Sequence, residues 1–352
     1  MENKETHLYS PPSPLKGGCR GASTLNSKLL TIKAIITFLK DWTLPSAICT
    51  GTVLYLVFAY VPALDSTARF FDPIFDAIFP VFMAMILFVT FCRVDFHKMR
   101  PTAWHWWITL LQLLLVALVA GLILSMRLTG NDLVLMESIL TCIIAPGAAA
   151  AAVVTAKLGG DLETMTTYTF VSNFVTALMV PLVFPMIDQG VDISFWSAFF
   201  AILYKVCMVL LVPMGAAYVV KHFMHRLHAW ILSVPDLSFY MWGISLTIVT
   251  GSTLKYIIHA GTTPGFVLIL AAISLVLCVV QFVLGRYVGH IFGTVIEAGQ
   301  GLGQKNTAFA VWIAYTYLNP LCSVGPGCYI LWQNAINSIE IWHQRRQGKC
   351  GE

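Results

Sequence analysis

Long apolar runs alternate with short polar interruptions along this chain from Leu44 onward, and runs such as Ile108–Leu124 and Phe266–Val280 contain no charged residue at all. A helix crosses the hydrocarbon core of a bilayer with about 20 apolar residues. By that measure the pattern predicts ten spanning segments, at about 44–62, 72–92, 103–126, 133–157, 163–187, 193–220, 230–254, 263–289, 294–318 and 320–342. A closed barrel would instead alternate polar and apolar positions over segments of about ten residues. The predicted fold class is therefore an all-α integral membrane protein.

Composition points the same way. Of 352 residues, 58% are apolar and 11% charged, with a mean hydropathy of +0.78. Soluble domains carry about 25% charged residues. Soluble dinucleotide enzymes, nucleic-acid binders and secreted disulfide scaffolds are excluded, because their surfaces need charge that this chain lacks. The nine cysteines lie mostly within apolar runs and form no CxxC pair, so neither a disulfide framework nor a metal site is expected. His222, His225 and His228 sit beside Lys221 and Arg226 and read as a solvated cytoplasmic loop. Residues 1–43 form a basic polar tail with Pro11, Pro12 and Pro14; its amphipathic stretch Leu29–Leu39 suits a membrane surface. No secretory signal pattern is expected there. The expected organisation is the tail at 1–43, a first five-segment repeat at 44–187, a second at 193–342 and a short tail at 343–352.

Lysine and arginine sort by side. With a cytoplasmic N-terminus, sixteen fall in inside segments and only Arg69, Arg127 and Lys255 outside, so both termini are expected in the cytoplasm of a cell with an inner or plasma membrane. Lys205 and Lys305 fall within spans. A charge at that depth costs about 2.5–3.5 kcal/mol on insertion scales and needs a partner, a cavity or an interface. Lys205 reads as a structural lysine meeting a polar neighbour. Lys305 stands in a more unusual setting.

Two segments differ from the rest. The fourth carries Ala145-Pro146-Gly147 followed by five alanines; the ninth carries Gly299, Gly301 and Gly303 followed by Gln304-Lys305-Asn306-Thr307. Proline removes a backbone donor and clashes with the preceding turn, and clustered glycines cheapen departure from helical geometry. Both segments are predicted to be interrupted helices, and freed backbone groups must then face protein or an aqueous cavity. One break in the fourth segment of each group of five is the pattern of a transporter built from two repeats, inverted because each holds an odd number of spans. Gln112 and Gln281, polar intruders in apolar runs, are expected near the crossing of the two broken helices.

Several stretches resemble one family. Phe79-Pro80-Val81-Phe82-Met83-Ala84-Met85-Ile86-Leu87-Phe88 with Arg93-Val94-Asp95-Phe96, then Ala145-Pro146-Gly147 with Gly159-Gly160-Asp161, are similar to the second and crossover helices of the bile acid:sodium symporter family. Gln304-Lys305-Asn306-Thr307 through Asn319-Pro320-Leu321 to Trp332-Gln333-Asn334-Ala335-Ile336-Asn337-Ser338 keeps that family's spacing. The resemblance implies a six-helix core from the third to fifth and eighth to tenth segments, a four-helix panel from the others, and an organic anion bound beside the crossing and moved with sodium.

Residue by residue, the sodium ligands do not carry over. Ala151-Ala152 replace a Ser-Asn pair, Gly301 replaces an acid and Lys305 replaces a glutamine. Hard cations want about six oxygen ligands, and unit charges 4 Å apart repel by about 4 kcal/mol at an effective dielectric of 20. Lys305 is thus expected where a sodium would sit, pinning the unwound backbone or exchanging a proton; pairing with Glu137 or Glu297 is the alternative. The N-terminal donors of the second half-helices, beyond Pro146-Gly147 and Gly303, suit an anion. Gln304, Lys305, Asn306, Thr307, Gly301, Gln112, Thr169, Ser172, Asn173, Gln333, Asn334 and Asn337 are the candidate lining.

The expected function is a secondary or facilitative transporter of a small organic anion, without sodium. A sodium-coupled symporter and a non-transporting sensor using the same cavity are the alternatives. Arsenite efflux proteins of similar fold place a cysteine where this chain has Gly147. An enzyme is not expected: Asp161 has no second aspartate in a neighbouring span, and no strained serine lies near Lys305. No cofactor and no nucleic acid are expected, only the anion and the lipid bilayer; oligomeric state stays open.

Overall fold

The computed structural model describes residues 43–95, 97–187, 195–234, 237–258 and 262–349. The tail and Leu29–Leu39 lie outside the described residues, as does the side chain of Lys205. By contact the chain divides into Met1–Thr43 and Leu44–Glu352, and the second unit carries the helical bundle.

The chain runs α1 (Thr43–Tyr60), α2 (Asp65–Arg93), α3 (Ala103–Met126), α4 (Gly130–Ile144), α5 (Ala149–Lys157), α6 (Leu162–Ile187), α7 (Phe195–Phe223), α8 (His225–Ser233), α9 (Leu237–Ile258), α10 (Pro264–Phe292), α11 (Val295–Gly303), α12 (Thr307–Tyr317) and α13 (Val324–Lys349). Among the described residues, α3, α6, α10 and Leu237–Lys255 of α9 are long and apolar enough to cross a membrane. The outward faces agree, because α3 exposes Trp107, Leu114 and Leu118, and α10 exposes Leu268, Val276 and Val283. Apolar exteriors on this scale belong in lipid.

Both predicted interruptions are present as helix ends. At the first, Pro146 forces Ala145 out of the helical region to φ −53°, ψ 138°, and α5 resumes at Ala149 after an extended Ala148. At the second there is no proline. Instead α11 ends at Gly303, and Asn306 caps α12 by accepting from Phe309 N at 3.2 Å.

The glycines before the second break do different work from the one expected of them. Gly299, Gly301 and Gly303 stay inside α11, where each leaves room for a neighbour. A Cβ on Gly299 would lie 2.7 Å from Arg286 Cγ, and one on Gly303 2.4 Å from the Phe282 ring. On α10 the added Cβ atoms of Gly285 and Gly289 would lie 2.4 and 2.5 Å from Ala298 O and Thr294 O. The α10–α11 hairpin, turned at Gly293 with φ +71°, is thus packed backbone against backbone.

Two further expectations need correction. The seventh segment begins at Leu237, and Trp230 belongs to the separate short helix α8. The three histidines are helical, not loop residues. His222, in the last turn of α7, sets Nδ1 against Tyr218 O, and His228 of α8 meets Cys92 O at 2.8 Å through Nε2. The His228 bond, with Lys221 Nζ donating to Val94 O and Arg93 Nη2 to Val234 O, ties α7 and α8 to the end of α2.

Candidate functional site

The two unwound stretches cross as a one-rung antiparallel bridge between Gly147 and Lys305. Ala148 N donates to Gln304 O at 3.0 Å and Asn306 N to Pro146 O at 2.8 Å. Leaving a helix strands backbone groups in the interior, where each lost bond costs about 1–3 kcal/mol. Two side chains recover those of Gly147: its N–H donates to Ser172 Oγ at 3.0 Å, and Asn173 Nδ2 reaches its carbonyl at 3.5 Å while donating to Thr169 O at 2.6 Å. One side chain serves Lys305. Gln333 Oε1 accepts from Lys305 N at 2.9 Å and Gln333 Nε2 donates to Lys305 O at 3.1 Å, with a further contact to Thr307 Oγ1 at 3.4 Å. Thus α6 holds the first break and α13 the second.

The orphan carbonyls at the C-terminal ends of the first half-helices are also taken. Gln112 Nε2, from α3, lies 3.1, 3.4 and 3.1 Å from the carbonyls of Ile143, Ile144 and Ala145, and Thr176 Oγ1 donates to Ile144 O at 3.1 Å. At the other break Tyr329 Oη donates to Gly303 O at 2.8 Å and accepts from Gln281 Nε2 at 3.1 Å. Gln112 and Gln281 therefore sit at the crossing as end caps, one direct and one through a tyrosine.

Lys305 contributes its main chain to this lattice, not its ammonium. The residue is fully buried, and among the described residues Nζ has no hydrogen-bond partner. Neither acid expected as an alternative partner reaches it: Glu137 Oε2 accepts from Cys322 Sγ at 2.9 Å, and Glu297 Oε1 from Asp161 N at 2.7 Å. The pinning expected of its charge is done by Gln333.

The other candidates separate into groups. Ser172, Asn173, Gln333, Pro146, Gly147 and Asn306 build the crossing itself. Thr169 Oγ1 bonds its own helix at Met165 O, and Asn337 Oδ1 accepts from Gln300 of α11. Gln304 gives its carbonyl to Ala148, while both atoms of its side-chain amide are buried without a partner. Gly301 packs against Tyr168 and Trp104.

Beside the crossing lies a cavity of about 70 Å³. The first turns of α5 and α12 edge it through Ala148, Ala150, Thr307 and Ala308, with Lys305, Asn306, Gln333 and Asn334 beside them. Ile86 of α2 and Trp242, Ser245, Leu246 and Val249 of α9 form the opposite, mostly apolar wall. Asn334 Oδ1 and Ser245 Oγ, both on this lining, are buried and unpartnered.

Tyr329, Thr176, Ser245, Tyr168 and Trp104 were not legible as site residues. Polar tips on apolar helices are common, and only packing brings these to the breaks. The model of the sodium bile acid symporter family matches residues 80–260, a stretch that includes the first break and ends just beyond α9, before the second. No curated protein matches the chain.

Proposed function

From the premise that this chain belongs to the sodium bile acid symporter family, a family of membrane transporters, we propose that it carries a small organic anion by alternating access without sodium. Ten spans arranged as two inverted five-helix repeats, 44–187 and 193–342, would place the cavity between a moving panel and a core that holds the crossing. Both termini would then be cytoplasmic. The observation that carries the sodium-free reading is the capping of the break carbonyls. In transporters with broken helices, unwound carbonyls and half-helix C-terminal ends are the coupling-ion ligands. Here those of Ile143, Ile144, Ala145, Pro146, Gly147, Gly303, Gln304 and Lys305 each receive a donor from the protein.

Anion selectivity is supported by the two half-helix N-termini at the cavity, whose backbone donors carry partial positive charge. Lys305 adds one ionisable group at the same place. As an ionisable side chain placed at the crossing, Lys305 is the group on which proton coupling would rest.

The test is flux into proteoliposomes with labelled small organic anions, imposing sodium and pH gradients separately and comparing Lys305→Gln and Lys305→Ala with the parent. Uptake indifferent to sodium, shifted by pH in the parent and not in the variants, supports the reading. Sodium-driven uptake overturns the coupling assignment, and saturable binding without flux makes the protein a sensor.

A further inference from the structure

The short helix α8 takes no part in the crossing, and its surface divides three ways. One side belongs to the protein. Ile231 is buried in the cluster that holds Ile86, Val89 and Cys92 of α2 and Val220 of α7, and His228 Nε2 meets Cys92 O at 2.8 Å. Arg93 Nη2 donates to Ile231 O at 3.4 Å and to Val234 O just beyond the helix. A second side is polar or small and exposed, with His225, Ala229 and Ser233 one turn apart. The third carries Leu227 and Trp230, neighbours three residues apart on one face, and Trp230 is 59% exposed although it is the largest apolar side chain of the helix.

Those two residues follow a stripe on α7. Phe200, Tyr204, Met208, Val212, Val219 and Phe223 recur at intervals of four or seven residues and so share one face, and all are exposed, Phe223 at 76%. An apolar stripe of that length on the outside of a membrane helix faces lipid. Met224, at φ −118° and ψ 59°, turns the chain out of α7 and into α8. The charge of the segment is one-sided. From Lys221 to Val234 the chain holds Lys221, Arg226 and three histidines and no acid. Lys221 Nζ is engaged by Val94 O, whereas Arg226 is exposed, beside Leu227 and one turn before Trp230. Asp95, the acid at the neighbouring end of α2, accepts from His97 N at 3.1 Å. A helix that lies in the plane of a headgroup layer needs this division: apolar tips in the acyl boundary, a cation that can reach phosphate, and a polar face toward water. Tryptophan suits that depth because its ring is apolar and its N–H can stay wet.

We propose that α8 is an interfacial helix that seats this end of the bundle on anionic phospholipid headgroups, with Leu227 and Trp230 inserted and Arg226 on phosphate. Because α8 follows directly from α7 and is bonded to the end of α2, the same contact sets the depth of those two helices in the leaflet. The proposal depends on the chain spanning a bilayer and not on what it carries.

The experiment reconstitutes the full chain in bilayers of phosphatidylcholine and phosphatidylglycerol, with and without bromine on the acyl chains near the headgroup. Comparing the parent with Trp230→Phe isolates the emission of one tryptophan among ten. That emission is expected to be quenched by the brominated lipid, and a tryptophan moved to the polar face, Ser233→Trp beside Trp230→Phe, is expected to escape quenching. Equal quenching at the two positions, or none at 230, overturns the seating. The headgroup is read separately, from melting temperatures in detergent with phosphatidylglycerol or phosphatidylcholine added. Phosphatidylglycerol is expected to raise the melting temperature of the parent more than phosphatidylcholine does. Arg226→Gln is expected to lose part of that difference, and Arg127→Gln, at the far end of α3, to keep it. An unchanged difference in Arg226→Gln overturns the anionic assignment. A parent that is dimeric in detergent and becomes monomeric on Trp230→Asp puts a second copy on this face and overturns the proposal as well. None of these readouts involves flux, so failure of the transport reading leaves the seating intact, and failure of the seating leaves the transport reading intact.

Discussion

Gln333 satisfies the N–H and the carbonyl of a single residue, Lys305, from a helix position 28 residues away in sequence. Gln333→Leu leaves the buried Lys305 N–H unpaired, while the carbonyl keeps Thr307 N at 2.9 Å, and is expected to destabilise the fold by about 1–3 kcal/mol, the cost of one unsatisfied group; a chemical-denaturation midpoint equal to the parent's would contradict it. Lys305 offers the opposite case. Its amine is buried without a partner, so a side chain of similar length and no charge removes a desolvation cost. Lys305→Met is expected to raise the melting temperature while lowering flux, the trade expected where a functional group is held at a cost in stability. A lower melting temperature would mean that the amine is bonded in the native state after all. Lys305 was legible in the sequence as an anomaly, a lysine inside a span. Its lack of any partner was not, because which atoms surround Nζ depends on several helices at once.

At the scale of elements, α10 and α11 form a hairpin whose separation is set by glycine. Gly285→Ala would press a methyl against the Ala298 carbonyl, a backbone atom with no means of turning aside. The expected cost is about 1–3 kcal/mol, read as a lower melting temperature. Gly265→Ala, near the start of the same helix with nothing within 4 Å of the added atom, is expected to be neutral or stabilising by up to about 1 kcal/mol. Equal effects at the two positions would sink the packing account. The same geometry explains why clustered glycines in the ninth segment suggested unwinding and yet lie in a regular helix. Glycine tolerates both roles, and the choice between them is made by the Arg286, Tyr168 and Phe282 side chains that lean on α11. Proline leaves less choice, and the break at Pro146 was legible for that reason.

At the scale of the whole molecule, the distribution of lysine and arginine predicts a topology that labelling can read. Epitope tags at either terminus are expected to be accessible only from the cytoplasmic side, and a tag inserted beside Arg127 only from the other side. A tag beside Arg127 reached from the cytoplasm would break the inverted-repeat arrangement. The cavity sets one further constraint. At about 70 Å³ it is far below the roughly 300–1,000 Å³ of an ordinary ligand pocket, so an organic anion is expected to enter only if α2 and α9 move away from the crossing. A bifunctional cross-linker joining cysteines placed at Leu246 and Ala308, on opposite walls of the cavity, is expected to abolish flux reversibly.

The membrane class, the approximate extents of the helical segments and the interruption at Pro146 were all readable from residue order, because each depends on local hydrophobicity or local backbone sterics. What occupies the breaks was not. Ser172 and Asn173 serve Gly147, Gln333 serves Lys305, Gln112 and Tyr329 close the half-helix ends, and Tyr168 packs against Gly147 and Gly301. Each of those pairings depends on the rotation and depth at which distant helices pack. A hydrogen bond fails with a shift of an ångström, whereas a hydrophobic run survives one, so the chain announced its helices and left the chemistry of their crossing to the packing.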